Sequence, residues 1–513
     1  MKTNESFGRP ALPALGLGRF GFLGWSLGLA GLLMPALAQD YFPSVNPFTV
    51  PRDPALYDQA QQDPNLRALR DQAIAEGTSQ LDYYNIKMGP VLAWFRAGMM
   101  FRYQSNFNLV SDANSTAPEG NFTIGPALSG SLRYDISEKA RLMLSAGLTY
   151  QWSLNNNQDQ LVFSPASSVD YQFGIGEVQF SLFDNVATAS TAVTDPTISG
   201  TGESSLMNFN RLDNNVGLGA VWPAFKDTTV SSGYSFGIFR GLNNDNFNQL
   251  DRNNHTFNLG VQHVLNPVWT VGLSSQGNMN HYIPNQVTVD TGGVPTNARG
   301  QVQNDNYGWG VGPTASWQIT QFIALNGLVN YTVQNFQQDG LISDSSNFSG
   351  ITFNLSLSHI INQYLRQTFT GGRSMNPGNG SNFTQQTTMG YQLRWQITQL
   401  INLTTNFRFS EFEQSGAGFA YLPFDPANPP TDYLYITDDG IVVVPLNSGQ
   451  QGQQYVLGLG TGFDLTQKLS LGVNYGLAVK SLSNQLTVNT GQGGVPYGDY
   501  ITQSIVLSLA YKF

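Results

Sequence analysis

Large apolar residues alternate with small or polar ones at the end of the chain, over residues 500–513. One parity carries serine, threonine and alanine, and the other carries the large residues Ile501, Ile505, Leu507, Leu509 and Tyr511. A period of two is that of a β-strand, in which successive side chains point to opposite faces. Similar two-faced segments recur from about residue 91 onward. An apolar face toward lipid and a polar face toward a wet interior are typical of a transmembrane β-barrel.

The connections between these segments are alternately short and long. Short turns are predicted at residues 134–139, 174–176, 223–227, 266–267, 318–322, 362–363, 396–400 and 464–468. Longer polar connections are predicted at residues 155–165, 189–205, 243–254, 284–304, 416–450 and 482–499. Outer-membrane barrels have short periplasmic turns and longer extracellular loops, whereas a soluble β-sandwich does not sort its loops in this way.

Counting strands back from the C-terminus predicts an all-β fold, a transmembrane antiparallel up-and-down β-barrel over residues 86–513. The count is about 18 strands, with 16 as the alternative, because bacterial single-chain barrels have even strand numbers. Eighteen strands require residues 162–183 to hold two strands that turn at residues 174–176. The first strand, residues 91–108, is expected to pair with the last one, which closes the barrel and removes both sheet edges.

The tryptophans support this orientation. On the apolar parity, four lie near short turns, and two more lie toward the long loops: Trp222, Trp269, Trp317 and Trp395, and then Trp152 and Trp309. Tryptophan is enriched at both membrane–water interfaces, because its ring is mostly apolar while its indole N–H takes a hydrogen bond. The sequence therefore predicts an aromatic girdle at each end of the barrel.

The N-terminus has the pattern of a secretory signal peptide. Arg9 and Arg19 precede an apolar run at residues 21–33, and Ala36-Leu37-Ala38 offers a cleavage site of small residues, so residues 1–38 are expected to direct export. Residues 39–85 form a predicted N-terminal periplasmic segment, with a Pro-rich linker at 41–54 and a short helix at 66–76. Two interpretations of this segment stay open, a tail that tethers the barrel and a plug that enters its lumen.

Composition fits an exported barrel better than a cytosolic enzyme. Charged residues make up only 11% of the chain, aromatic residues make up 12%, and there are 54 glycines. The chain has no cysteine, which excludes a disulfide framework, a thiolate metal site and a lipid-modified cysteine. No window approaches the roughly 20 apolar residues that a membrane helix needs.

The chain resembles a bacterial outer-membrane β-barrel porin. The resemblance rests on the terminal Phe513, on paired Leu-x-Leu-x-Tyr strands such as residues 469–475, and on the Ile-Thr-Gln turns. Residues 88–91, 177–185 and 213–220 are similar to a β-barrel porin group seen in exported proteins of several Gram-negative phyla. The resemblance covers most of the chain after residue 85. It implies an integral outer-membrane location and no particular solute.

Several arginines lie on the parity that faces the lumen. They are Arg96, Arg102, Arg133, Arg141, Arg366, Arg394 and Arg408. An arginine toward lipid at mid-depth would cost about 2–4 kcal/mol, which favours the interior placement. The first four lie on neighbouring strands and are expected to form a basic patch, with Asp135 opposite Arg96 as a partial counter-charge. Two roles stay open, a selectivity lining and a lattice of ion pairs that orders the wall.

The long connection at residues 416–450 is the best candidate for a constriction. Its acidic and aromatic residues include Asp425, Asp432, Tyr433, Tyr435, Asp438 and Asp439. Asp439-Gly440 between apolar runs predicts a small hairpin. Folded inward, the connection would bring these groups into the pore, and folded outward it would form a surface loop.

No constellation of catalytic residues is apparent. The four histidines, His255, His263, His281 and His359, have no clustered carboxylates, so a polar rim is expected rather than a metal site. The Gly-x-Gly stretch at residues 458–460 belongs to a strand, which does not support nucleotide binding. No enzymatic activity, cofactor or nucleic-acid partner is therefore expected.

The predicted function is passive diffusion of small hydrophilic solutes or ions through an outer-membrane channel. The alternative is an occluded or plugged barrel that acts as a gated transporter, a surface adhesin or a structural anchor in the outer membrane. The expected partners are outer-membrane lipids, the diffusing solutes, and the barrel assembly machinery, through the C-terminal strand that ends at Phe513. A homo-oligomer is compatible with the sequence, which identifies no interface.

Overall fold

The structure is a computed structural model that describes most of the chain after residue 85. The described residues are 86–105, 120–137, 139–155, 159–163, 167–189, 211–242, 251–283, 285–290, 295–300, 303–340, 344–378, 381–398, 400–416, 419–423, 435–436, 441–445, 449–466, 468–483, 486–489, 494–497 and 499–512. The predicted signal peptide, residues 1–38, and the predicted periplasmic segment, residues 39–85, lie outside them. No helix in the described part of the chain is long and apolar enough to cross a membrane.

One large antiparallel sheet contains the long strands, numbered along the chain. Its members are β1 (Ile86–Met88), β2 (Val91–Gln104), β3 (Asn121–Ser137), β4 (Ala140–Ser153), β5 (Asp159–Phe163), β6 (Ser167–Ile175), β7 (Val178–Ala189), β8 (Arg211–Phe225), β9 (Thr228–Gly241), β10 (Arg252–Asn266), β11 (Trp269–Tyr282), β14 (Asn306–Thr320), β15 (Ile323–Phe336), β16 (Phe348–Asn362), β17 (Leu365–Pro377), β18 (Phe383–Gln396), β19 (Ile401–Gln414), β23 (Gln451–Asp464), β24 (Leu469–Leu482) and β27 (Tyr500–Lys512).

The remaining strands belong to long connections. A five-stranded sheet, here named the cap sheet, combines two of these connections and consists of β12 (Asn285–Asp290), β13 (Pro295–Gly300), β20 (Phe419–Pro423), β21 (Tyr435–Ile436) and β22 (Ile441–Pro445). The two connections meet where Val289 of β12 pairs with Tyr435 of β21. A separate hairpin consists of β25 (Leu486–Asn489) and β26 (Gly494–Tyr497).

The large sheet closes on itself as a barrel. β2 pairs with β3 on one edge and with β27 on the other, with Arg96 opposite Lys512 and Gln104 opposite Ser504. The short β1 pairs with residues 91–93 of β2 and fills the part of that edge that β27 does not reach. β5 and β6 pair with successive parts of β4 and together occupy one strand position. The barrel therefore has 18 strand positions, as predicted.

The predicted organisation is confirmed with one correction. The turn between β6 and β7 lies at residues 176–177, so the region from residue 162 to 183 does hold two strands. The predicted connection at residues 155–165 is wrong in its second half, because residues 159–163 form β5. Asp159 lies opposite Trp152, and Leu161 lies opposite Tyr150. This strand was not predicted because it begins with two polar residues, Asp159 and Gln160, which match the pattern of a polar connection.

The outer face of the barrel is apolar and exposed. On β27, Ile501, Ile505 and Leu507 are 43–45% exposed, whereas Thr502, Ser504 and Ser508 on the other parity are at most 5% exposed. Large apolar side chains exposed around a closed barrel form the band that lipid covers. This alternation gives the fold of an integral outer-membrane protein.

The six tryptophans of the predicted girdles lie on the outer face at both ends of the barrel. Trp269 on β11 lies opposite Trp317 on β14 near the short turns, and their rings stack with centroids 4.9 Å apart. Trp152 and Trp309, toward the long connections, are 38% and 48% exposed. The two predicted aromatic girdles are therefore present.

A repeated side-chain hydrogen bond shapes the short turns. The Oγ1 atoms of Thr320, Thr398 and Thr466 each accept two backbone N–H groups, from the residues two and three positions later. The Oδ1 of Asn266 does the same for Val268 and Trp269. A short polar side chain can thus replace a backbone acceptor, which is why the Ile-Thr-Gln sequences mark turns.

We expect replacement of Thr320 by Val to destabilise the folded barrel by about 1 kcal/mol, because two backbone N–H groups lose their acceptor. Urea unfolding of the protein refolded in lipid vesicles measures this change. The matched control is Gln321→Ala, since Gln321 is exposed in the same turn. An equal loss in both variants would contradict the role of the hydroxyl.

Adjacent residues in the middle of β16 test the two faces of the barrel. Leu355 faces outward and is 42% exposed, whereas Ser356 lies on the inner parity. We expect Leu355→Arg to destabilise the barrel by about 2–4 kcal/mol in a bilayer and Ser356→Arg to change its stability little. The same unfolding measurement in vesicles checks the pair, and the reverse order would overturn the assignment of faces.

Candidate functional site: the barrel lumen

The inner face of the barrel is the candidate site. Small or polar residues occupy most of the inner parity, as in β23, where Gln454, Gly458, Gly460 and Gly462 alternate with outward Tyr455, Leu457 and Leu459. Among described side chains on this parity, basic groups outnumber acidic ones. The basic residues are Lys87, Arg96, Arg102, Arg133, Arg141, Arg252, Arg366, Arg394, Arg408 and Lys480, and the acidic ones are Asp135, Asp170, Asp213 and Asp464.

The first basic group lies on β2, β3 and β4. Asp135 Oδ1 accepts the Nε–H of Arg133 at 3.1 Å and the Nε–H of Arg141 at 2.9 Å. One carboxylate thus holds two guanidinium groups on adjacent strands, and a positive charge is left over. The expectation that Asp135 lies opposite Arg96 is wrong, because Arg96 lies opposite Ser129 and Asp135 lies opposite Arg141.

The other two arginines of this group, Arg96 and Arg102, lie on β2 and nearer to the long-connection end of the barrel. Arg96 is 6% exposed, and its guanidinium carbon lies 4.9 Å from the centre of the Trp94 ring. Arg102 donates from Nη2 to Gln104 Oε1 at 3.0 Å. Trp94 is 4% exposed on the inner face. This tryptophan is not among the predicted site residues, although its position two residues before Arg96 places both on one face.

The second basic group lies on β17, β18 and β19. Arg366 and Arg394 are directly opposite each other on adjacent strands. Arg408 lies on the next strand, opposite Gly390. Like charges directly opposite on one sheet face repel each other, and Arg394 is exposed on the inner face near the short turns. The local potential at this place on the wall is therefore positive.

The predicted arginines thus form two groups. β23, β24 and β27 separate the group on β17–β19 from the group on β2–β4. Three further inward residues carry positive charge, Lys87, Arg252 and Lys480, and the last two contact rings. Arg252 lies 4.4 Å from the Phe239 ring centre, and Lys480 lies 5.1 Å from that of Phe412. Their positions next to the strand ends made their parity hard to assign from sequence.

On β15, β18 and β19, the polar side chains of the inner face are more enclosed at the long-connection end than at the short-turn end. Near the long connections, inward Gln334, Thr384 and Ser410 are each 1% exposed. Near the short turns, inward Asn326 and Arg394 are exposed. Polar groups at the rim of an open barrel would face water, so burial of this kind means that protein surrounds these side chains at the long-connection end of β15, β18 and β19.

A ladder of amide side chains crosses four strands in this enclosed region. Asn254 on β10 donates to Asn280 on β11 at 2.6 Å, and Asn280 donates to Asn306 on β14 at 2.8 Å. Gln334 on β15 donates to the same Asn306 oxygen at 2.6 Å. Amides both donate and accept, so the ladder pairs buried polar groups without adding charge, although Gln334 Oε1 is buried without a hydrogen-bond partner among the described residues.

The predicted constriction lies mostly outside the described residues, which exclude Asp425, Asp432, Tyr433, Asp438 and Asp439. The backbone of Tyr435 belongs to β21 of the cap sheet and pairs with Val289 and Val443. The antiparallel pairing of β21 with β22 on either side of residues 437–440 fits the predicted hairpin at Asp439-Gly440.

Groups that could carry chemistry are scattered. The described residues contain no group of three or more His, Asp or Glu side chains placed to hold a metal ion. His255 contacts the Tyr234 hydroxyl, whereas His281 contacts Asp305, so the two histidines have separate partners. The hydrolase-like sequence Gly-Tyr-Ser-Phe-Gly at residues 233–237 lies within strand β9, with Ser235 8% exposed. A nucleophile elbow needs a strand-to-helix turn, which β9 does not provide.

A scan against protein-family models finds no match, and a search of curated proteins finds none. The barrel is similar to crystal structures of the outer membrane protein OpdK and of OccAB3. OpdK is from Pseudomonas aeruginosa and is 9% identical, with 82% of this chain and 99% of that chain covered at a TM-score of 0.40. OccAB3 is from Acinetobacter baumannii and is 8% identical, with the same coverage and TM-score. The likeness concerns the fold, and no residue role or solute is carried over from it.

Proposed function

We propose that this protein is an outer-membrane channel for passive diffusion of small hydrophilic solutes or ions. The observation that carries the proposal is the closed barrel whose inner wall is polar and bears most of the described arginines. An apolar outer band holds such a barrel in lipid, and the polar wall can be wetted. The proposal involves no catalysed reaction and no cofactor.

The two basic groups are proposed to make the channel favour anions. Fixed charges on a pore wall raise the local concentration of the opposite charge and oppose ions of their own sign. The pair Arg366 and Arg394 has the most exposed guanidinium group of the wall, and it lies near the short turns. Asp135 neutralises part of the β2–β4 group. For this reason the second group is expected to contribute more to selectivity.

Three segments that lie wholly or mostly outside the described residues are included in the proposal. Residues 1–38 would direct export, and residues 39–85 would form a periplasmic segment. Asp425, Asp432, Tyr433, Tyr435, Asp438 and Asp439 would give the 416–450 connection an acidic and aromatic surface that faces the pore. The barrel assembly machinery would recognise the C-terminal strand that ends at Phe513.

An occluded barrel is the second candidate function. The 1% exposure of Gln334, Thr384 and Ser410 favours it, because protein surrounds these side chains at the long-connection end. In that case the barrel would serve as a gated transporter, a surface adhesin or a structural anchor.

Single-channel recording of the refolded mature protein in a planar bilayer tests the proposal. We expect stable conductance steps and, under a salt gradient, a reversal potential of the sign that marks anion preference. Folding is checked independently by the heat-dependent shift of mobility in gels. A folded protein that gives no steps would exclude an open channel and leave the occluded barrel.

The double substitution of Arg366 and Arg394 by Gln is expected to lower the anion-to-cation permeability ratio roughly twofold or more, because it removes two adjacent positive charges from the wall. Reversal potentials measure this ratio. Arg373→Gln is the matched control, since Arg373 lies on β17 on the outward parity and donates to Gln385. An unchanged ratio in the double variant would contradict the assigned role of the second basic group.

A further inference from the structure

Four connections at the long-connection end of the barrel meet at one buried aspartate. Asp344 lies in the connection between β15 and β16 and is 6% exposed. Around it lie Asn304, from the connection that precedes β14, Asn382, from the connection that precedes β18, and Ser415, which follows β19. Asn304 and Asn382 are 2% and 3% exposed. These four residues are here named the Asp344 node.

The carboxylate of Asp344 accepts three hydrogen bonds. Oδ1 accepts the Ser346 N–H at 2.8 Å, and Oδ2 accepts the Asn382 N–H at 2.8 Å and the Ser415 hydroxyl at 2.7 Å. Within the part of the chain that the structure describes, no Lys, Arg or His forms an ion pair with it. A buried carboxylate without a cation is stable only when donors of this kind surround it.

The neighbouring amides complete the node. Asn382 Nδ2 donates to the backbone carbonyls of Asp344 at 3.0 Å and of Ser346 at 2.8 Å. Asn304 Nδ2 donates to Asn382 Oδ1 at 2.8 Å, and Asn304 Oδ1 accepts the Gly340 N–H at 2.8 Å. Each side chain of the node thus forms a hydrogen bond to a residue of another connection. No connection can therefore move without breaking hydrogen bonds to another.

The backbone after Ser415 fits closely against the same carboxylate. Gly416 has a φ of 62°, and a Cβ atom at this position would lie 2.5 Å from Asp344 Cγ. Glycine reaches this left-handed conformation without a steric penalty and leaves room for the carboxylate. The connection that contains β20, β21 and β22 therefore leaves the barrel in a direction set by Asp344.

The two connections that form the cap sheet are the ones that begin or end at this node. Asn304 follows β12 and β13, and Ser415 precedes β20, β21 and β22. The same connections are joined a second time where Val289 pairs with Tyr435. Two attachments between the same pair of connections fix both their distance and their relative orientation.

We propose that Asp344 is a positioning residue that fixes the cap sheet relative to the barrel and so keeps the long-connection end of the pore in one conformation. This inference rests on the proposed diffusion function for its effect on current, but the position of the cap sheet can be measured without any current. Asp344 does not touch the solute in this proposal and acts through Ser415, Asn382 and Asn304.

The variant Asp344→Asn tests the proposal at constant volume. An amide presents only one oxygen, so its NH₂ group would face either the Ser346 donor or the Asn382 and Ser415 donors. We expect transitions between conductance levels to become roughly tenfold more frequent in single-channel records, because buried donors lose their acceptor. Asp251→Asn is the matched control, since Asp251 is 8% exposed and accepts the Gly241 N–H at 2.7 Å within one connection only.

The yield of an engineered disulfide measures directly whether β12 and β21 of the cap sheet stay paired. The chain has no cysteine, and directly opposite residues on antiparallel strands lie about 4.5–5.5 Å apart at Cα, within reach of a disulfide. We expect Val289→Cys with Tyr435→Cys to form this bond in air in the otherwise unchanged chain. Adding Asp344→Asn should lower its yield severalfold, and adding Asp251→Asn should leave it unchanged.

Each outcome decides one of the two proposals. A folded but silent unsubstituted protein overturns the diffusion channel, while the disulfide yields still decide the role of Asp344. Equal yields with and without Asp344→Asn overturn the positioning role. If Asp344→Asn fails to fold, Ser415→Ala takes its place, since it keeps the carboxylate and removes the 2.7 Å bond to Asp344 together with the bonds of the same hydroxyl to the Phe383 backbone.

Discussion

Backbone hydrogen bonding is the constraint on which the structure depends. Lipid offers no partner for an amide or a carbonyl, so every membrane-spanning strand must pair on both of its edges. The chain meets this demand through an unbroken circle of antiparallel pairs, with β1 and β27 sharing one edge of β2 and with β5 and β6 sharing one edge of β4. Once the circle is closed, side chains are free to differ between the two faces.

Much of the fold can be predicted from sequence because the two faces meet different solvents. The contrast between Ile505 or Leu507 and Ser504 or Ser508 repeats around the wall, and one strand therefore indicates the whole barrel. The short turns could also be predicted where the hydroxyl of Thr320, Thr398 or Thr466 accepts backbone N–H groups. The interrupted strand formed by β5 and β6 was not readable, because it depends on pairing with β4 rather than on its own pattern.

The site could be predicted only in part. Parity placed Arg96, Arg133 and Arg394 on one face, since the period of two carries that information. It could not show that Asp135 bridges Arg133 and Arg141 or that Arg366 stands opposite Arg394, because both facts depend on the register between strands. The Asp344 node could not be predicted from the sequence at all. Its directly bonded members are separated by up to 78 residues, and they belong to connections without any periodic pattern.

The seam between β2 and β27 joins residues that are far apart along the chain. Ser105 donates its N–H to Gln503 O at 2.8 Å, and Thr502 Oγ1 donates to Ser105 O at 2.6 Å, across 398 and 397 positions. Contacts of such sequence separation form late, because the entropy of closing the intervening loop must be overcome first. Until residues 500–512 are in place, β2 and β24 each present an unpaired edge to any other strand nearby. The pairing of β27 with β2 and β24 therefore determines how long the folding barrel stays vulnerable to aggregation.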